Sequence, residues 1–296
     1  MPPTPSLSLF QSHPRSFDDN RFVYAVVSRR SGGVSIGVNL NPEKSCNFDC
    51  VYCQVDRTGY PLAGGGGKAF RKADLPQLRD ELDEMVGLAA GGGLFQGTRF
   101  STTPPEFRRL NDIALSGDGE PTSSPVFDEA VRICADIRAA HGLDDVKLVL
   151  ITNATLLQRP CVVKGLEILD ANNGEIWGKL DAGTEAYYQQ VDRTSVKLAE
   201  VLENLVVTAR KRPIVIQSLF MRLNGEGPPP AEQAAYCDRL CEIVAAGAEI
   251  KLVQIHTIAR PPAESFATPL ENVEVDRLAE LVKKRTGLAV ESYYGC

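Results

Sequence analysis

The chain has 296 residues, 43% hydrophobic and 24% charged, with a formal net charge of −6 at pH 7. That composition can bury a sizeable core, and the acidic balance offers no general attraction to nucleic acid or an anionic membrane. No apolar run approaches the ~18 residues of a membrane span, and eight cysteines in a chain without an apolar leader read as reduced thiols or metal ligands. A cytoplasmic location is the expectation.

The first stretch, "MPPTPSLSLFQSHPRS", is rich in Pro and Ser, so residues 1–20 are expected to form a flexible tail. Strand candidates follow at "VSIGVNL" (34–40), "DIALSG" (112–117), "VKLVLIT" (146–152), "EIWGKLD" (175–181), "PIVIQSLF" (213–220) and "IKLVQIHT" (250–257). Several are almost wholly apolar, as strands buried on both faces should be. From the second onward they recur at roughly the length of a strand plus a helix. Helical periodicity predicts helices over 73–89, 124–140, 195–211, 230–246 and 272–285. Ser124 and Pro125 look like the start of the second of these. The gap between the first two strands is longer and carries "AGGGG" (63–67) and "AGGGLFQG" (90–97), which predicts an insertion at about 55–110. Six parallel strands with interposed helices form either a doubly wound sheet or a barrel. The region 21–296 reads as one domain.

The chemistry concentrates in "SCNFDCVYCQ", residues 45–54, where Cys46, Cys50 and Cys53 stand at C-x3-C-x2-C spacing in a polar loop after the first strand. Buried thiols are one reading. A zinc site normally closes its tetrahedron with four protein ligands, and a second pair is missing here. An iron–sulfur cluster held by three thiolates keeps one iron open to a small ligand. A second motif, "SGDGEPT" (116–122), ends the next strand. Glycine there lets the backbone approach a ligand closely, and the adjacent carboxylates place negative charge where a cation must sit.

This pair of motifs resembles the radical SAM superfamily. The resemblance covers most of residues 34–257 and implies an α/β fold, the partial (β/α)6 TIM-like barrel of the radical SAM type. It implies a [4Fe-4S] cluster on Cys46, Cys50 and Cys53, with S-adenosylmethionine chelating the open iron. Tyr52 is the aromatic residue before the last cysteine, and Gly117, Asp118, Gly119 and Glu120 form the cofactor turn. Asn153, Lys179, Asp181, Gln217 and His256, near later strand ends, are further cofactor-contact candidates. The implied activity is reductive cleavage of S-adenosylmethionine to a 5′-deoxyadenosyl radical that abstracts hydrogen from a substrate. A flavodoxin or ferredoxin would supply the electron.

"VSRRSGGVSIGVNLNPEKSCNFDCVYCQVDRTG" together with "VQIHTIARPPAE" (253–264) looks similar to a bacterial group related to the wyosine-base (4-demethylwyosine) synthases, which implies a tRNA base as substrate. The chain departs from those enzymes in having no cysteine before Cys46 and in its acidic charge. The alternatives are an activase-like enzyme acting on a protein or small molecule, and a non-catalytic iron–sulfur protein. If RNA is the substrate, Arg29 and Arg30 are the expected cations near the site mouth. The cations of "ARKRP" (209–213) and "VKKRTG" (282–287) end helices, where the dipole favours them. Cys237, Leu240, Cys241 and Val244 repeat as a helix core stripe, Cys134 sits on an apolar helix face, and Cys161 and Cys296 are isolated.

Overall fold

The computed structural model describes residues 17–55 and 70–295. The glycine run 63–67, Cys296 and most of the expected tail lie outside the described residues. The described residues group into two compact units. One comprises 17–45, 70–151 and 159–175; the other comprises 46–55, 152–158 and 176–295.

In the first unit, β1 (Val23–Ser28) runs antiparallel to β2 (Gly33–Val38), with Val23 opposite Val38. β2 pairs in parallel with β3 (Leu110–Leu115), and β3 in parallel with β4 (Lys147–Thr152). All six residues of β2 are buried, which explains its unbroken run of small and apolar residues. Three helices belong to this unit: α1 (Leu75–Ala90), α2 (Phe127–Ala140) and α3 (Pro160–Asp170). α1 buries Leu78, Leu82, Met85 and Val86 at helical spacing. Its one buried acid, Glu81, accepts the backbone N–H groups of Arg21, Phe22 and Val23 at 2.7–3.1 Å. Those donors open an edge strand and have no ladder partner on that side, so the carboxylate replaces the missing strand. α2 and α3 pack closely at Gly165, where a Cβ would fall 2.5 Å from the Phe127 ring.

Several expectations are corrected here. β1 and α3 had not been foreseen. α2 begins at Phe127, three residues later than predicted, because residues 121–123 form a separate turn capped by Glu120 and the Ser124 hydroxyl accepts from Val126 N (3.4 Å). Phe17, within the expected tail, is buried and stacked on Phe100 at 6.4 Å. Arg29 and Arg30 occupy the turn between β1 and β2. That turn is the N-terminal end of β2, whereas the residues leading to Cys46 leave its C-terminal end. A six-residue strand spans about 20 Å, so the pair and the first residues of the segment that leads to Cys46 lie at opposite ends of β2.

In the second unit, β5 (Gly174–Lys179), β6 (Ile214–Leu219), β8 (Ile250–His256) and β10 (Val290–Tyr293) are successive parallel neighbours. β7 (Met221–Leu223) and β9 (Ala267–Pro269) form a short antiparallel ribbon. The helices are α4 (Glu185–Asp192), α5 (Leu198–Ala209), α6 (Pro230–Ala245) and α7 (Asn272–Thr286). On α6 the buried stripe is Tyr236, Cys237, Leu240 and Ile243. Cys241 and Val244 are exposed, so the expected stripe was rotated by about one residue.

Asp112 is the least comfortable core residue of the first unit. Only 3% exposed, it accepts a hydrogen bond from Ser35 Oγ, and burial pushes its carboxyl up to about 6 despite that bond. A buried acid with a raised value holds its proton more tightly folded than unfolded. Its cost is therefore absent below about pH 4 and fully present above about pH 6, at about 3 kcal/mol. Asp112→Asn should remove that dependence, leaving the urea midpoint at pH 8 at or above that of the wild type. A variant that is less stable at pH 8 than at pH 5 by the wild-type margin would refute this assignment.

Candidate cofactor site

In the first unit the site elements are the chain leaving β2 and the turn leaving β3. Asn39 organises both. Its Oδ1 accepts from Asn41 N (2.9 Å) and Asp118 N (3.2 Å), and its Nδ2 donates to Asp118 Oδ2 (2.7 Å). Asn41 Nδ2 donates to Ser123 Oγ at 3.0 Å. The glycines are demanded by this packing. A Cβ on Gly117 would fall 2.4 Å from Asn39 Oδ1, and one on Gly119 would fall 1.9 Å from the carbonyl oxygen of Ser45, the residue before Cys46. Glu120 is buried, and its Oε1 accepts from Thr122 N (3.1 Å) and from Thr122 Oγ1. Glu120 thus caps the turn that follows, while residues 116–119 remain half-buried.

In the second unit the cysteine loop lies against α4. Asp49 N donates to Asp192 O (3.1 Å) and Val51 N to Val191 O (2.9 Å), while the Phe48 ring meets Tyr188 edge-on at 5.9 Å. Asn153, a predicted cofactor contact, is engaged by the same loop. Its Nδ2 donates to Asn47 Oδ1 (2.8 Å), and Asn47 Nδ2 donates to Thr155 Oγ1 (2.8 Å). Cys50 is buried, whereas Cys46 and Cys53 are half-buried. Cys46 Sγ accepts from Phe48 N at 3.5 Å.

Tyr52, Lys179 and Asp181 come together as a buried group, joined by Asp192, which had not been singled out in the sequence. The Tyr52 hydroxyl meets Asp181 Oδ2 and Lys179 Nζ at short range and Asp192 Oδ1 at 3.3 Å. The Lys179 ammonium lies 4.4 Å from the centre of the Tyr52 ring and 3.4 Å from Asp181 Oδ2. Cys50 Sγ donates to Asp192 Oδ1 at 3.3 Å. Burial first, then Asp192, push Cys50 well above the ordinary thiol range, with Lys179 opposing them. Burial and then Asp181 push Asp192 up to about 7. Burial alone would pull Lys179 down, but Asp181, Cys50 and Asp192 outweigh it and hold the ammonium above the ordinary lysine range. Gln217 is buried and donates to Gln254 Oε1 at 3.1 Å, and His256 is half-buried at the end of β8.

The donor set suits an iron–sulfur cluster. Among the described residues, no three His, Cys, Asp or Glu side chains converge on one point as ligands of a single ion would. A cubane asks for something else, since each protein thiolate binds a different iron.

The glycine turn generates a test that needs no cofactor. Gly119→Ala must displace the Ser45 carbonyl, so amide exchange at residues 44–46 should rise severalfold and the melting temperature should fall. Gly227→Ala, where the backbone is not left-handed and a Cβ would meet only ordinary contacts at 3.6 Å or more, serves as the control. Unchanged exchange at 44–46 in Gly119→Ala would show that the close approach is not a constraint.

No family model matches the chain. A UPF0026 protein from Methanocaldococcus jannaschii is 23% identical over 188 residues, 62% of this chain and 48% of that protein. The chain spans about half the length of the curated relatives it matches. Among solved structures, TYW1 with a lysine–pyruvate adduct bound superposes with a TM-score of 0.53 at 12% identity, covering 94% of this chain and 80% of that one. A radical SAM methyltransferase from Sphaerobacter thermophilus gives a TM-score of 0.60 at 13% identity, covering 92% and 69%. These likenesses establish the fold as α/β, the partial (β/α)6 barrel of the radical SAM type.

Proposed function

We propose that the chain is a radical SAM enzyme. The observation that carries this reading is the close approach of the 117–119 glycine turn to the carbonyl of Ser45, the residue before the first cysteine of the C-x3-C-x2-C loop. Cys46, Cys50 and Cys53 would hold a [4Fe-4S] cluster, and the 117–119 turn would bind S-adenosylmethionine. When bound, the pair supplies a one-electron cleavage that yields a 5′-deoxyadenosyl radical able to take hydrogen from a substrate.

The chain's own residues prepare that site. Cys50 must lose its proton to become a ligand, and Asp192 Oδ1 at 3.3 Å is the acceptor within reach. Asn47, held by Asn153 and Thr155, fixes the loop between the first two ligands. Tyr52, held by Lys179 and Asp181, fixes it between the last two. Flavodoxin or ferredoxin is the proposed electron donor.

For the substrate, the resemblance of the motifs to the wyosine-base synthases supports a tRNA base. A second reading, a small molecule or a protein, is favoured by the net charge of −6 and by Arg29 and Arg30 lying at the far end of β2 from the residues that lead to Cys46. Binding of bulk tRNA at about 50 mM salt separates the two, because phosphate contacts are strongest there.

The reaction class is tested by anaerobic reconstitution with iron and sulfide, followed by dithionite and S-adenosylmethionine. The wild type should form 5′-deoxyadenosine. Cys46→Ala, Cys50→Ala and Cys53→Ala should each lose most bound iron and fall to background, while Cys241→Ala should match the wild type. Full iron and full turnover in any of the three loop variants would refute the assignment.

A further inference from the structure

Arg193 follows α4 directly, with a backbone φ of 46° in the left-handed region. A non-glycine residue there carries strain of roughly 1–2 kcal/mol that surrounding contacts must offset. Its guanidinium makes those contacts. It lies 2.5 Å from Glu264 Oε1, 3.8 Å from Asp49 Oδ2 and 5.7 Å from the centre of the Phe266 ring. Glu264 N in turn donates to Val51 O at 3.1 Å, and Thr194 Oγ1 donates to Asn47 O at 2.9 Å. The cysteine loop is thus gripped from two sides, by the end of α4 and by a strap at 264–266 that follows β8.

We propose that Arg193 is a positioning residue that locks the Cys46–Cys53 loop by bridging Asp49 of the loop to Glu264 of the strap. The proposal rests on the radical SAM reading for what the loop holds. The geometry favours a dedicated lock over a casual surface pair. One guanidinium, in a strained backbone setting, serves two carboxylates and a ring at once, and the two carboxylates come from segments far apart in sequence. Both carboxylates are approached by Nη1 alone, and the delocalised guanidinium charge keeps the Phe266 ring within reach at 5.7 Å. The lock also gives a use to the "ARPPAES" segment (259–265), whose two prolines stiffen the strap.

The test uses the full chain in two states. In the iron-free protein, Arg193→Ala and Glu264→Gln should each raise amide exchange at Asp49 and Val51 by about fivefold or more, the scale expected for losing a two-pair network. Exchange along β6 and the melting temperature should barely move, which a general structural defect would not allow. In the reconstituted protein both variants should lose iron to a chelator correspondingly faster, and Arg193→Lys should restore part of the protection. Glu264→Gln keeps its own N–H bond to Val51 and remains interpretable if Arg193→Ala fails to fold. Unchanged exchange at Asp49 and Val51, or raised exchange with unaltered iron loss, overturns the proposal. A wild type that takes up no iron defeats the radical SAM reading instead, and the exchange data still decide whether the lock exists.

Discussion

Two carboxylates share one buried phenol in the second unit, and much of the site follows from that. Asp181 and Asp192 are 3% and 2% exposed, and both reach the hydroxyl of Tyr52. Like charges so placed repel, and burial penalises each. The chain's remedy is Lys179, whose ammonium contacts Asp181, lies over the Tyr52 ring and meets its hydroxyl. Leu219 N also donates to Asp181 Oδ1 at 2.7 Å, tying the carboxylate to the end of β6. The ends of β5 and β6 and the end of α4 therefore converge on the residue between the second and third cysteines. Tyr52 has one well-satisfied position, and Cys50 and Cys53 inherit it.

The first unit solves a different problem by removing atoms. The 116–119 turn must pass close to Asn39 and to the Ser45 carbonyl, and only residues without a Cβ can do so. Asn39 then serves as a small hub, accepting two backbone N–H groups and donating to Asp118. Glycine in this motif was expected because a ligand approaches it. In the structure the chain's own backbone already requires Gly119, and a ligand's demand would add to that.

The parallel strands were legible because strands buried on both faces must be almost wholly apolar, and six such runs are plain in the sequence. The three cysteines and the glycine turn were legible because their spacing is chemically unusual. What escaped depends on partners distant in the chain. Asp192 looks like an ordinary helix-end acid until Cys50 and Tyr52, more than 130 residues earlier, fold against it. Asn153 lies at a strand end, as a cofactor contact would, and its amide also meets Asn47, 106 residues earlier, a contact the sequence did not show. β1 was missed because it pairs antiparallel outside the strand–helix rhythm, and α4 because eight residues carry too little periodicity. Arg29 and Arg30 precede β2 at its N-terminal end, opposite the end from which the chain runs to Cys46, a distinction that sequence proximity does not carry.

The central claim is that three thiolates hold a cluster with one iron left for S-adenosylmethionine. Mössbauer spectroscopy of the anaerobically reconstituted chain tests it most directly. The account predicts a four-iron cubane in which one iron site shifts when S-adenosylmethionine is added and the other three do not. Four equivalent irons indifferent to S-adenosylmethionine, or a chain that takes up zinc in place of iron, would contradict it.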